Sequence, residues 1–285
     1  MKSILITGKD SYIGTSLENW LNKEDMYKVD TIDMIDESWK EKDFSTYDIV
    51  FHVAGIAHVS ADPKMEELYY KVNRDLAIET ANKAKAEGVR QFIFMSSIIV
   101  YGDSSSSEKI INIDTPPSPS NFYGDSKLQA EEGLKKLESE EFKIAVLRPP
   151  MIYGKGSKGN YPRLASFAKR SPIFPNIENQ RSMLHIDNLC EFIKLMIDNE
   201  ESGLFFPQNK EYVSTSEMVK TIAEVHGRKI RMTKIFNPVL KRMFGFDVVN
   251  KAFGNLVYEM DMSEYGKGEY RVRGFRETIE LTESR

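Results

Sequence analysis

Five short apolar runs punctuate the first half of the chain, at residues 4–7, 29–32, 49–53, 92–96 and 144–147. None alternates apolar with polar positions, which is the pattern of strands covered on both faces. Between them lie longer stretches with helical spacing, at 13–21, 65–87 and 123–137. In the second of these, Leu68, Val72, Leu76 and Ile78 fall near one face, and Gly88 supplies a stop. Strand and helix in alternation predict βαβ units and an α/β fold built on a doubly wound parallel (Rossmann) sheet.

The texture changes after Arg148-Pro149-Pro150. Residues 150–183 are rich in Gly, Pro, Asn and basic side chains, and helical patterns follow at about 187–199 and about 216–226. Residues 228–285 mix short apolar runs with charges and give no element assignment. The apolar content of 236–262 reads as part of a second lobe in preference to a partner-binding face. Thr115-Pro116-Pro117-Ser118-Pro119 and 104–107 read as exposed loops. The expected division is a dinucleotide-binding domain at 1–149 plus about 184–199, and a smaller mixed substrate-binding lobe at about 150–183 plus 200–285.

Composition narrows the class. The 285 residues are 41% hydrophobic and 11% aromatic, enough for a substantial core. A formal net charge of −4, from 39 Lys and Arg against 43 Asp and Glu, with no dense basic run, argues against nucleic acid as the partner. One cysteine, Cys190, excludes an internal disulfide framework and a Cys-based zinc cluster, and fits a reducing compartment. No stretch approaches the roughly 18–20 apolar residues that span a bilayer, and the apolar run after Met1 is too short for a signal-peptide core. The expectation is a soluble, cytoplasmic protein with no membrane partner.

The candidate chemistry lies at the ends of the strands. The first run passes into Thr7-Gly8-Lys9-Asp10-Ser11-Tyr12-Ile13-Gly14 and then a helix. Such a turn aims backbone N–H groups and the helix dipole at a pyrophosphate, with Gly8 making the turn and Gly14 letting helix and strand pack closely. About 19 residues on, Asp33 ends the second strand, where a carboxylate accepts from ribose hydroxyls and repels a 2′-phosphate. No Lys or Arg follows it directly, so NAD is favoured over NADP. Tyr123 and Lys127 are four apart at a helix start and share a face. A free phenol has a pKa near about 10, and a nearby ammonium together with the positive nicotinamide ring of an oxidised cofactor would lower it toward use as an acid or base. Ser96 and Ser97 end the fourth strand, at the edge where parallel sheets bind ligands. His52 and His58 have no metal-ligand spacing, and His185 reads as a packed structural residue.

Together these residues resemble the extended short-chain dehydrogenase/reductases, in their nucleotide-sugar epimerase/dehydratase group. The motifs run in order through about 200 residues: Thr7-Gly8…Gly14, Asp33, His52-Val53-Ala54-Gly55, Val72-Asn73, Ser96-Ser97…Val100-Tyr101-Gly102, Tyr123…Lys127, Arg148-Pro149-Pro150…Tyr153-Gly154 and Arg181…Asn188. The resemblance implies Tyr123 as catalytic acid/base, Lys127 as its partner and Ser97 as the catalytic Ser/Thr, with Ser96 structural. It implies NAD held by Gly8, Ser11, Tyr12, Ile13, Gly14, Asp33, Ala54, Gly55, Asn73, Tyr123, Lys127 and Pro150. Ser97, Tyr123, Asn160 and Arg181 would contact the substrate, Asn160 and Arg181 at the diphosphate, where a planar, permanently charged guanidinium can grip two oxygens. No metal is implied.

Two features depart from the family pattern. Ser11 replaces the middle loop glycine and would crowd the pyrophosphate. Ile98 and Ile99 stand where sugar dehydratases carry an Asp-Glu pair, which removes the acid needed to eliminate water. The resemblance then implies a UDP-hexose or UDP-N-acetylhexosamine 4-epimerase serving polysaccharide precursor synthesis, working as a homodimer. A ketoreductase of a UDP-4-keto-6-deoxy-hexose stands as the alternative, and an inactive dinucleotide-binding relative as the third reading.

Overall fold

The structure, a computed structural model, describes residues 1–57, 62–104, 109–244 and 246–284. His58 and three of the four serines at 104–107 lie outside these residues. The central sheet has six parallel strands: β1 (Lys2–Thr7), β2 (Tyr27–Ile32), β3 (Ile49–His52), β4 (Gln91–Met95), β5 (Lys143–Leu147) and β6 (Gly203–Phe205). Their order across the sheet is β6-β5-β4-β3-β1-β2. The winding reverses between β1 and β3, so the crevice beyond their carboxyl ends is where a doubly wound sheet binds its ligand. Strand β6 corrects the expected domain boundary, because 203–205 completes the sheet instead of joining the lobe. Its apolar run is only three residues long, too short to be separated from a loop by pattern.

Both faces of the sheet are covered, as the unbroken apolar runs require. On one face Ile4, Ile6, Phe51 and Ile93 pack against α1 (Tyr12–Leu21) and α5 (Ile186–Asp198) through Leu17, Leu21, Leu189 and Ile193. On the other, Leu5, Val50, Phe92 and Phe94 meet Ala77, Ala81, Ala130 and Leu134 of α2 (Leu76–Ala86) and α3 (Phe122–Lys135). The single helix expected at 65–87 is broken. A short helix, Glu66–Tyr69, runs into a π-helical turn at Tyr70–Asp75 before α2 begins. The inserted residue re-phases the chain, so Leu68 is exposed and the small side chains of Ala77, Thr80, Ala81 and Ala84 form the buried face. Gly88, at φ +82°, does terminate the helix.

The lobe gathers α4 (Asn160–Arg170), α6 (Thr215–Val225) and α7 (Phe275–Glu283) around Tyr153, Tyr161, Met218, Ile222 and Ile279. Three two-stranded parallel ribbons stitch distant segments together. They pair Met151–Tyr153 with Met183–His185, Ile173–Pro175 with Arg231–Thr233, and Ile110–Ile111 with Val257–Tyr258. Ser104, expected in an exposed loop, is buried and donates to the Asn250 carbonyl at 2.7 Å. Among the described residues no helix is long and apolar enough to cross a membrane.

Candidate active site

The loop after β1 is shaped by Gly8, whose φ of +88° lies in the region that penalises other residues. A Cβ there would also stand 3.1 Å from the Ala54 backbone. Ser11 is the N-cap of α1, and its hydroxyl accepts from the Gly14 N–H at 3.2 Å. The side chain therefore turns back into the helix, which answers the crowding expected at this position. The N–H groups of Tyr12 and Ile13 donate to no protein group among the described residues and stand free at the helix start. At the end of β2, Asp33 is exposed; one oxygen accepts from the Ile35 N–H at 2.9 Å, and no cation among the described residues pairs with it.

Beyond β3, Ala54 is buried beside Gly8 and Gly55 is exposed. Asn73 lies on the π-helical turn and is fully buried. Its Oδ1 accepts from the Ile56 N–H at 2.9 Å, and its Nδ2 donates to the Ile56 carbonyl at 3.1 Å and to Ser126 at 3.2 Å. Expected as a cofactor contact, Asn73 spends its side chain fixing the loop that carries Ala54 and Gly55. Pro150 is buried just past β5.

Tyr123 and Lys127 lie one turn apart at the start of α3, which Asn121 caps by accepting from the N–H groups of Tyr123 and Gly124 at 3.1 Å. Gly124 permits the approach that builds the site, since a Cβ there would stand 2.7 Å from the Ile99 carbonyl oxygen. That contact seats α3 against the turn Ile98–Tyr101, whose N-cap is Ser97. The Ser97 hydroxyl accepts from the Ile99 N–H at 3.3 Å and hydrogen-bonds the Tyr123 phenol. Lys127 is buried beneath, donating to the Met95 carbonyl at 2.8 Å.

The electrostatics correct the expectation for Tyr123. Burial pushes its phenol up to about 12, while the bond from Ser97 draws it down and Tyr69 adds a small upward push. Lys127 is not among the groups that shift it. Burial instead brings the Lys127 ammonium down to about 8, against the pull of Glu131. The protein by itself thus keeps Tyr123 protonated, and any lowering must come from a charge bound beside it.

Behind these residues stands a network that sequence reasoning missed. Ser96 hydrogen-bonds Glu131, which takes both Nε (3.1 Å to each oxygen) and Nη2 (2.5 Å) of Arg148. The Nη1 of Arg148 donates to the Tyr101 hydroxyl at 2.6 Å, and the Tyr258 hydroxyl donates to the Arg148 carbonyl at 2.8 Å. All five side chains are buried. Glu131 sits one turn after Lys127 on the same face, which was its only signal in the sequence.

The remaining candidates lie farther out. Arg181 donates through Nη1 to the carbonyls of Lys251 (2.9 Å) and Gly254 (3.2 Å). It has no carboxylate partner among the described residues, and burial lowers its pKa to about 10. Asn160 opens α4 after Gly159, and no side chain caps that helix. His52 is buried against Thr7 at 3.0 Å and His185 caps α5, so both are built into the fold; burial holds them down to about 3 and about 4.

A dinucleotide fits this crevice. The free N–H groups of Tyr12 and Ile13 suit a pyrophosphate, the open oxygen of Asp33 suits a ribose diol, and Lys127 and Tyr123 lie at the far end, beyond β4.

A family model described as "NAD dependent epimerase/dehydratase family" matches residues 4–206. The chain is 30% identical over 246 residues to the UDP-glucose 4-epimerase of Vibrio cholerae, covering 78% of this chain and 75% of that protein. It is 25% identical over 300 residues to N-acetyl-alpha-D-glucosaminyl-diphospho-ditrans,octacis-undecaprenol 4-epimerase of Escherichia coli O157:H7, covering 98% and 87%. Among solved structures, UDP-glucuronic acid 4-epimerase from Bacillus cereus in complex with NAD superposes with a TM-score of 0.77 at 18% identity, covering 98% and 95%, a likeness of fold.

Proposed function

The chain belongs to the NAD-dependent epimerase/dehydratase family, and from that premise we propose that it is a nucleotide-sugar 4-epimerase acting on a UDP-hexose or UDP-N-acetylhexosamine. One observation carries the reading: the proton carriers past β4 are a hydroxyl pair, Ser97 and Tyr123, backed by the buried cation Lys127. The segment following Ser97 offers Ile98 and Ile99 and no acid pair to eliminate water. That set can move one proton to and from a sugar oxygen and do nothing further. Two relatives similar over three quarters or more of this chain are named as 4-epimerases, which supports C4 as the position.

When bound, NAD would supply the hydride acceptor and donor for the sugar carbon. Tyr123 would take the hydroxyl proton and hold it for return, with Ser97 steadying the sugar oxygen and Lys127 one turn along the helix free to donate to the bound dinucleotide. When the resulting ketone presents its opposite face, Tyr123 returns the proton and the inverted alcohol forms, with no net oxidation. Arg181, whose Nε and Nη2 have no partner among the described residues, and Asn160 at the start of α4 belong to the diphosphate side in this reading. The working unit is taken as a homodimer, as the resemblance implies.

Denaturing the purified protein and identifying the nucleotide it releases tests the reading, together with epimerisation assays on UDP-hexoses. Retained NAD and interconversion of C4 epimers are expected, with Tyr123→Phe lowering kcat by about 10²–10⁴-fold while NAD is kept. Reversible uptake of NADPH with reduction of a UDP-4-keto sugar would replace the epimerase by a ketoreductase. Unchanged turnover in Tyr123→Phe would remove the assignment.

A further inference from the structure

We propose that residues 228–251 form a docking surface for an anionic lipid bilayer, through which the substrate lobe lies on a membrane. The apolar half of the argument is exposure. Ile235, Phe236, Val239, Met243 and Phe246 are 80%, 41%, 60%, 38% and 64% exposed, five of the sixteen exposed large apolar side chains among the described residues, within one stretch of twelve. Scattered apolar side chains are ordinary on a surface; a cluster of this kind marks a contact. The segment is held in place from beneath. Arg231–Thr233 pairs with Ile173–Pro175, Asn237 donates to the Asn176 carbonyl at 2.8 Å, and Val249 is buried. Its outward side chains are therefore surplus to the packing of the lobe. Val239 projects from the short helix Asn237–Arg242, and Ile235, Phe236, Met243 and Phe246 flank its two ends.

The polar half is charge. No dense run of basic residues exists, yet 228–251 carries seven Lys and Arg against one Asp, a net +6 in a chain of −4, leaving −10 on the rest. Arg228, Lys229, Arg231 and Arg242 are exposed and pair with no carboxylate among the described residues. Basic side chains flanking exposed Ile, Phe, Val and Met are the composition of a segment that lies in the headgroup region of an anionic leaflet. The acidic remainder of the molecule would orient it with this face down. A second copy docked here about a twofold axis would set the basic segment against itself, and a nucleic acid would leave the apolar side chains unused. The absence of a membrane-spanning helix does not bear on such surface contact. The surface also reaches the site, because Arg181 donates to the carbonyl of Lys251, which ends this segment, and to that of Gly254 just beyond it.

Cosedimentation of the full chain with vesicles tests this without reference to turnover, so its failure and that of the epimerase reading are distinguishable. Pelleting is expected with vesicles of equal parts phosphatidylcholine and phosphatidylglycerol and not with phosphatidylcholine alone. Partitioning should fall about fivefold in Arg228→Gln or Arg242→Gln, one charge each, and be lost in the doubly substituted Val239→Asp/Phe246→Asp chain. Circular dichroism and released NAD, both unchanged, show that this variant folds. A wild-type chain that stays in the supernatant, binds neutral vesicles equally well, or pellets unchanged with both aspartates in place overturns the proposal. So does a dimer in light scattering that the two aspartates split while no vesicle binding is seen, which would assign the face to a second copy.

Discussion

At the scale of single residues, the site holds two groups whose pKa values burial has driven apart. The Tyr123 phenol is pushed up to about 12 and the Lys127 ammonium down to about 8. The tyrosine is thus a reluctant base until a positive charge binds next to it, and the lysine is the group that titrates in the working range. Above about pH 8 Lys127 gives up its proton, and the buried positive charge that would face the bound dinucleotide goes with it. We expect kcat/KM to fall about tenfold per pH unit on that alkaline limb, measured from pH 6 to 10; a profile flat to pH 10 would take Lys127 out of the charge argument. Stability should move the other way. Between about 8 and its unfolded value near about 10.4 the unfolded chain binds the extra proton, so folding strengthens as pH rises through that window. The residue types at 97, 123 and 127 were legible in the sequence because they belong to ordered motifs. Their pKa values were not, because desolvation depends on what the rest of the chain places around them.

At the scale of elements, the lesson lies in how each helix begins. Ser11 breaks the expected glycine pattern of the phosphate loop and replaces it with a helix cap, its hydroxyl engaged with the Gly14 N–H. We therefore expect Ser11→Gly to cost only a few tenths of a kcal/mol in stability and to change NAD affinity by no more than about twofold. A tenfold gain in affinity on isothermal titration would show that Ser11 does crowd the pyrophosphate. The π-helical turn at Tyr70–Asp75 teaches the converse. Its apolar spacing reads as plain α-helix, and only the demand of the Ile56 loop for the Asn73 amide explains the extra residue. Local sequence carries the caps, since a cap is a bond between near neighbours. It does not carry a distortion whose cause lies 17 residues away.

At the scale of the whole molecule, the Glu131–Arg148 pair is the joint between sheet and lobe. It ties Ser96 at the end of β4 to α3, to the strand end after β5, and, through Tyr101 and Tyr258, to the ribbon Ile110–Ile111 with Val257–Tyr258. Removing one member leaves the other charged in the interior. Glu131→Ala should therefore cost about 3–5 kcal/mol, read as a shift in the urea midpoint; a loss below about 1 kcal/mol would mean that water reaches Arg148. Because Glu131 also acts on Lys127, the same variant should move the alkaline limb of the pH profile to lower pH.

The sequence by itself determined the doubly wound architecture, five of its six sheet strands and the chain positions of the hydroxyl pair and its lysine. Those features are written in hydrophobic period and in motifs whose members are close along the chain. Tertiary structure alone decided that 203–205 is a strand, that Glu131 answers Arg148, that Asn73 serves a loop, and that Ile235, Phe236, Val239, Met243 and Phe246 face outward. Each of these depends on which distant segment arrives alongside, and burial, pairing and exposure exist only once it has.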